Sequence, residues 1–293
     1  MNYLKTIFRF VVFNNVWIAL CALSMLIETQ WFFDIPFKWD ALTAFIFFGT
    51  FFDYNHHRFS WHFNPSHPFA DLKRFFSSEV SNTLRINILV GFAGTAISFV
   101  LLDPKIIPVI LLFSIITLAY SLPMIKWKNK FTRLREITYL KIFVVAFVWS
   151  FVTVIIPLMT VSKEISYVTV AIIFFRRFLF IYAITIPFEI RGIEIENSYG
   201  NRNLPMVFGV RKMKIVGIIF MVMFCLLSAV HELYFEFNIA DRQYVFLPLL
   251  ISAIVSGMLI ALYNSKRSEW YNAFFVDGMM ILQLLLLLIF NIK

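Results

Sequence analysis

The stretch IPFEIRGIEIENSYGNRNLP, Ile186 to Pro205, decides the fold prediction. It follows a run of apolar residues long enough to cross a bilayer, and it then brings three glutamates and an arginine together between positions 189 and 196. Ionisable side chains at membrane depth are costly and usually line a functional or aqueous region. The stretch therefore predicts a membrane helix that ends in a polar functional region.

The composition places the whole chain in the membrane. Of its 293 residues, 60% are hydrophobic and only 15% are charged, which is too apolar for an ordinary soluble domain. Nine segments have the length that a helix needs to cross the hydrocarbon core, and no alternating strands of a barrel occur. We therefore expect an all-α polytopic membrane protein, a bundle of nine transmembrane helices forming a single domain over 1–293. The predicted spans lie at about 10–32, 40–57, 86–103, 105–124, 139–160, 165–187, 215–231, 244–263 and 272–290.

The cationic residues predict the orientation. With nine spans and the N-terminus inside, 19 of the 26 lysines and arginines fall on the inner side. The positive-inside rule then places the N-terminus in the cytoplasm and the C-terminus outside, as in a bacterial inner membrane protein. The net charge of +9 is explained by inner loops that face anionic membrane lipids, so nucleic acid is not an expected partner. The seven exceptions are Lys38, Lys105, Lys163, Arg242 and Lys293 outside, and Arg176 and Arg177 within the sixth span.

Two long inner loops, 58–85 and 188–214, follow the second and sixth predicted spans, and both spans end in polar residues. Loops of this length in a compact bundle are usually functional or disordered, and the first is too rich in aromatic residues for a solvated tail. We expect the two loops to cap one inner-face cavity, with Asn55 and Glu189 lining it.

Glu189 and Glu196 are seven residues apart, so on a helix they share one face. Two carboxylates on one stripe can share Mg²⁺, which prefers oxygen ligands and often bridges to substrate phosphates. The alternative is an interfacial helix end where the acids meet water beside Arg191.

The segment YNHHRFSWHFNPSH holds four of the five histidines, at positions 56, 57, 62 and 67. Imidazole is a common transition-metal ligand, but contacts with phosphate or lipid headgroups are the favoured interpretation. In YSLPMIKWKNK, Tyr120 and Lys126 lie nearest a helix end and are candidates for contacting an anionic ligand, whereas topology-setting charge is the alternative.

Among the ionisable residues within predicted spans are Arg176 and Arg177 in the sixth span and Asp277 in the ninth. Such residues are functional candidates, and an ion pair between the sixth and ninth spans is an equally good explanation.

Nine helices with polar motifs ending the second and sixth resemble the UbiA superfamily of intramembrane prenyltransferases. The sequence PFEIRGIEIENSYGNRNLPMVFGVRK, Pro187 to Lys212, is similar to the second Asp-rich motif of that family. YSLP at Tyr120 to Pro123, with Lys126 beyond, is similar to the segment after the family's fourth helix. The positions in register with the second motif are Glu189, Ile190, Arg191, Glu196, Leu204, Pro205, Gly209, Arg211 and Lys212.

The chain departs from the family at its acidic positions. The first motif, broadly NxxDxxxD, corresponds here to Asn55, Arg58 and His62, and Gly192 replaces an aspartate of the second motif. The family's activity is transfer of an isoprenyl chain from its diphosphate to a lipid-soluble acceptor, with Mg²⁺ on the diphosphate. Arg58 and His62 thus stand at two aspartate positions of the first motif, so the chain resembles a divergent member of the superfamily.

The resemblance implies two ways to neutralise the diphosphate. Glu189 and Glu196 would hold one Mg²⁺ with Asn55 as a neutral ligand or donor, or Arg58, Arg191, Lys126 and His56 or His62 would contact the diphosphate directly. We favour one metal on the two glutamates, with Arg58 where a second metal would lie. The expected catalytic residues are Asn55, Arg58, Glu189 and Glu196, and the expected diphosphate-binding residues are Arg58, His62, Tyr120, Lys126, Arg191 and Arg202.

The expected partners are a prenyl diphosphate, an aromatic or other lipid-soluble acceptor, and membrane lipids. Two alternatives stay open. One is a catalytically inactive homologue that binds a prenyl lipid or quinone, and the other is a small transporter.

Overall fold

A computed structural model describes residues 2–60, 81–127, 130–162, 164–198, 200–235 and 244–292. The chain divides into two compact units, which are described separately. The first comprises Met1–Leu23 and Lys38–Ile137, and the second comprises Ser24–Phe37 and Thr138–Lys293. The assignment of one domain over 1–293 stays a prediction.

The first unit is helical apart from a short antiparallel hairpin, in which Lys126 pairs with Phe131. Helix α2 begins in this unit and continues into the second. The elements are α1 (Asn2–Phe13), α2 (Val16–Phe32), α3 (Ala41–Ser60), α4 (Asn82–Val100), α5 (Ile107–Ser121), β1 (Ile125–Trp127), β2 (Lys130–Thr132) and a 3₁₀ turn (Leu134–Glu136).

The predicted first span, 10–32, is divided by a sharp bend. Helix α1 ends at Phe13 and α2 begins at Val16, with an angle of 70° between them. Asn15 has a φ of 65°, a left-handed conformation that asparagine tolerates better than most residues. A single backbone angle of this kind leaves no mark on the hydropathy pattern, so the sequence predicted one continuous helix.

Helices α3 and α4 pack with their backbones in close approach, which two glycines make possible. A Cβ atom at Gly91 would lie 2.9 Å from Phe52 Cα, and one at Gly94 would lie 2.3 Å from the ring of Phe48. Small residues at helix contacts permit this kind of packing in membranes. The first unit therefore depends on glycine at this helix pair.

The second unit surrounds one long helix, α7, which packs against α6 and α10. Its apolar core includes Ile142 of α6, Ile186 and Ile190 of α7, and Tyr263. Two of its helices contain a π-helical turn, at Phe151–Ile155 and at Tyr271–Val276. The elements are α6 (Leu140–Met159), α7 (Tyr167–Arg191), α8 (Ile193–Ser198), α9 (Leu204–Phe208), α10 (Val210–Phe235), α11 (Phe246–Ala261) and α12 (Tyr271–Phe290).

Each predicted span overlaps a helix in the part of the chain that the structure describes. Five of these helices are long and apolar enough to cross a membrane, or six when the bent pair α1 and α2 is counted as one. Helices α5 and α11 are apolar but shorter. The chain is thus an all-α polytopic membrane protein, and the count of nine spans stays a prediction.

The predicted inner loop 188–214 is largely helical. Helix α7 continues to Arg191, and α8 and α9 follow before α10 begins at Val210. Asn203 caps α9 by accepting a hydrogen bond from the Met206 N–H, and Gly209 ends it with a φ of 88°, which favours glycine. The apolar pattern does not extend through these short helices, so the sequence predicted a loop. The other predicted loop lies mostly outside the described residues.

Candidate functional site

A lysine and two glutamates meet at the charged end of α7. Lys141 Nζ in α6 donates to Glu196 Oε1 of α8 at 2.6 Å, and it lies 2.9 Å from Glu189 Oε1 of α7. The side chains are 18%, 13% and 3% exposed, respectively. We call these three residues the Lys141 triad. With one cation and two anions, it carries a net charge of −1 when all three groups are ionised.

The packing around Glu189 fixes its position. Its neighbours Ile186 and Ile190 are buried in the core of the second unit, as is Ile142 beside Lys141. Asn203 donates to the Glu189 carbonyl oxygen at 2.7 Å, which ties the α9 cap to the last turn of α7. In the NLP part of the motif, Asn203 to Pro205, the asparagine therefore has a structural role, because it joins α9 to α7.

The predicted Mg²⁺ role of Glu189 and Glu196 stays a prediction. Glu189 Oε2 is buried and has no hydrogen-bond partner among the described residues, so one oxygen is available to a cation. However, one oxygen of each carboxylate already contacts the same ammonium, and the described residues contain no group of three or more acids, histidines or cysteines suited to a metal. With Lys141 in this position, the donor set does not fit a divalent ion.

The two arginines predicted to bind diphosphate near the triad are engaged differently. Arg191 Nη2 lies 2.6 Å from Glu269 Oε1, in a pair whose side chains are 37% and 65% exposed. The side chain of Arg202 is exposed, while its carbonyl oxygen accepts a hydrogen bond from Thr138 at 2.7 Å. Their predicted diphosphate contacts stay predictions.

In the first unit, Asn55 belongs to a buried network of amides. Its Nδ2 donates to the carbonyl oxygens of Phe51 at 2.8 Å and Asn14 at 3.3 Å. Its Oδ1 accepts from Asn15 at 3.1 Å and from Asn87 at 3.5 Å. The side chain is 1% exposed, and its polar atoms are used in holding α3 and α4 to the bend between α1 and α2. The catalytic role predicted for Asn55 stays a prediction beside this structural one.

The other predicted residues of the first unit lie nearer the surface. Arg58 is exposed and donates to the Phe13 carbonyl oxygen at 3.0 Å, and Lys126 is exposed on β1. The ring of Tyr120 lies 5.9 Å from the ring of His57. His62 and His67 lie outside the described residues.

Sequence reasoning missed three functional or structural partners. Lys141 is one of the 19 cations that the positive-inside rule assigns to the inner side, and no local motif connects it with the two glutamates. The buried guanidinium of Arg135 lies beside the imidazole of His57, with 2.9 Å between Arg135 Nη1 and His57 Nδ1. Lys141 lies in the first turn of α6 and Arg135 in the 3₁₀ turn before it, whereas His57 lies in the last turn of α3, so no single sequence pattern marks all three.

A second charged cluster is buried in the middle of the second unit. Glu28 lies 3.5 Å from Arg176 Nη2 and 3.1 Å from Arg177 Nη2, and each of the three is at most 3% exposed. Gln283 of α12 donates to Glu28 at 3.2 Å, and Arg176 contacts His231. The arginines thus pair with a carboxylate of α2, a partner that the proposed ion pair between the sixth and ninth spans did not include.

Comparisons with known proteins give a likeness in fold. No family model and no curated protein matches the chain. A structure of digeranylgeranylglyceryl phosphate synthase is similar over 100% of both chains, with a TM-score of 0.57 and 14% identity. The apo structure of a UbiA homolog from Aeropyrum pernix K1 is similar over 94% of both chains, with a TM-score of 0.55 and 13% identity. The chain therefore has the fold of UbiA-type membrane proteins over essentially its full length.

Proposed function

We propose that this chain is a membrane-embedded prenyltransferase, which transfers an isoprenyl chain from a prenyl diphosphate to a lipid-soluble acceptor. The observation that carries the proposal is the likeness in fold to a digeranylgeranylglyceryl phosphate synthase over the full length of both chains. The similarity of Pro187 to Lys212 to the second motif of the prenyltransferases gives it local support.

The reaction needs positive charge at the leaving group. The bond between C1 of the prenyl chain and the diphosphate oxygen breaks, its electron pair leaves with the diphosphate, and the acceptor forms the new bond to C1 and releases a proton. Stabilising developing charge in a dry site is usually the largest catalytic contribution. The residues predicted to contact the diphosphate are Arg58, His62, Tyr120, Lys126, Arg191 and Arg202.

Arg58 is the candidate to test first, because it stands at an aspartate position of the first motif and its exposed guanidinium is suited to forked contacts with phosphate oxygens. We expect Arg58→Gln to slow diphosphate release by about 30- to 1,000-fold, which corresponds to about 2–4 kcal/mol for one electrostatic stabiliser. Lys105→Gln, at an exposed cation on the connection before α5, is the matched control and should leave the rate unchanged.

The assay uses purified protein in detergent with a radiolabelled prenyl diphosphate, in Mg²⁺ and in EDTA. An aromatic acceptor and a prenylated glyceryl phosphate are supplied in parallel, the second because of the product named for the similar synthase. Protein-dependent release of diphosphate together with a labelled product supports the proposal. Equal release by wild type and Arg58→Gln, with both proteins folded, contradicts the role of Arg58.

A second candidate is a protein that binds a prenyl lipid or quinone without turning it over. The pairing of both motif glutamates with Lys141 favours it, since the acids are already engaged within the protein. Retention of labelled lipid with no release of diphosphate in any condition identifies this function and excludes the transferase.

A further inference from the structure

We propose that the ammonium group of Lys141 is the resident counter-cation of Glu189 and Glu196, and that it takes the place of a divalent metal ion in this chain. The inference concerns the site of the proposed function and rests on that function only for the identity of the substrate. It assigns Lys141 as a positioning residue that holds α6, α7 and the short α8 together.

The contacts identify the ammonium as the shared cation. Nζ lies within hydrogen-bond distance of one oxygen of each carboxylate, at 2.9 Å and 2.6 Å. Charge-assisted hydrogen bonds of this length are among the stronger polar contacts in proteins. A metal on the same two oxygens would compete with Lys141 for them and would lie beside a like charge.

Burial opposes a hydrated metal at the same place. Mg²⁺ loses its water reluctantly and usually keeps several water molecules in its coordination shell. The Glu189 side chain is only 3% exposed, and Ile186, Ile190 and Ile142 pack in the core beside the triad. The ammonium of Lys141 needs no such shell of water, because its hydrogen bonds go to the two carboxylates.

Removing the lysine would leave an arrangement that calls for a cation. Two carboxylates would then face each other with no internal positive charge between them, and Glu189 Oε2 already lacks a hydrogen-bond partner among the described residues. Oxygen ligands with a net charge of −2 are the type that divalent ions prefer. The inference therefore predicts that divalent-ion binding is created by substituting Lys141.

The test measures Mn²⁺ binding by electron paramagnetic resonance on the purified full chain in detergent, with no prenyl diphosphate present. Wild type should bind no stoichiometric Mn²⁺. Lys141→Met, which keeps most of the length of the side chain but removes its charge, should bind one ion per chain at least tenfold more tightly than wild type. Added Mg²⁺ should raise the Tm of this variant and leave that of wild type unchanged.

Two controls locate the new site. Lys141→Met combined with Glu196→Gln should lose the ion, because the amide keeps the shape of the side chain but not its charge. Lys212→Met, at an exposed lysine in the first turn of α10, should behave like wild type.

One Mn²⁺ per chain on wild type, lost in Glu196→Gln, overturns the inference, and this result does not depend on whether Lys141→Met folds. A folded Lys141→Met that binds no Mn²⁺ overturns it as well. If Lys141→Met does not fold, wild type decides: absence of stoichiometric binding supports the inference. Because no substrate is used, a failed prenyl-transfer assay leaves these outcomes intact, and the two proposals fail separately.

Discussion

Glu28 is the counter-charge of two buried arginines, so its removal should affect the whole second unit. We expect Glu28→Gln to lower the free energy of unfolding by about 3–5 kcal/mol, the range for breaking a buried ion pair from one side. The reason is that Arg176 and Arg177, both nearly inaccessible to solvent, would keep their charges without a carboxylate. Thermal and denaturant unfolding in detergent measures the loss.

The matched control is Glu269→Gln. It removes the carboxylate that pairs with Arg191 in an arrangement that is 37% and 65% exposed, and surface pairs contribute about 0–1 kcal/mol. Similar losses for the two variants would show that burial does not govern the Glu28 cluster.

At this scale the sequence predicted the acids of the site but not their partner. The spacing of Glu189 and Glu196 placed them on one face, and the structure brings both to one cation. The partner, Lys141, lies 55 residues before Glu196, and no local pattern connects residues so far apart. The positive-inside rule explains every lysine predicted on the inner side equally well, so it does not distinguish Lys141 from the others.

The contact between α3 and α4 yields a prediction at the scale of elements. Gly91→Ala should destabilise the protein by about 1–3 kcal/mol, the usual cost of overpacking, because its Cβ would lie 2.9 Å from the backbone of Phe52. A backbone atom cannot move aside as the end of a flexible side chain can. Unfolding in detergent measures the change.

Gly49→Ala is the control for this pair of helices. Gly49 lies in α3, and a Cβ there meets nothing within 4 Å. Since alanine favours the helix by up to about 1 kcal/mol relative to glycine, this variant should be neutral or more stable. A stabilised Gly91→Ala would mean that the two helices can separate without loss.

Each span predicted from hydropathy overlaps a helix in the described residues, because the bilayer sets the length and the apolar content that a spanning helix needs. It did not locate the bend at Asn15 or the short helices α8 and α9. Those features depend on single backbone angles and caps, as at Asn203 and Gly209, rather than on a repeated pattern.

The orientation of the whole molecule is tested by fusions. Alkaline phosphatase fused after Lys293 should be active, and the same fusion after Arg133 should be inactive, because the enzyme folds only outside the cytoplasm and most cations are predicted to lie on the inner side. Green fluorescent protein at the same two positions should give the reverse. An active fusion at Arg133 with an inactive one at Lys293 would exclude nine spans with an internal N-terminus.

The buried arginines also have a consequence for biogenesis. As α7 leaves the ribosome, two arginines near its middle oppose its partition into lipid by about 5–7 kcal/mol together. Their carboxylate partner is on α2, next to Thr29, which lies 148 residues before Arg177. We therefore expect α2 to remain within reach of the insertion machinery until α7 arrives, because pairing with Glu28 offsets part of this cost.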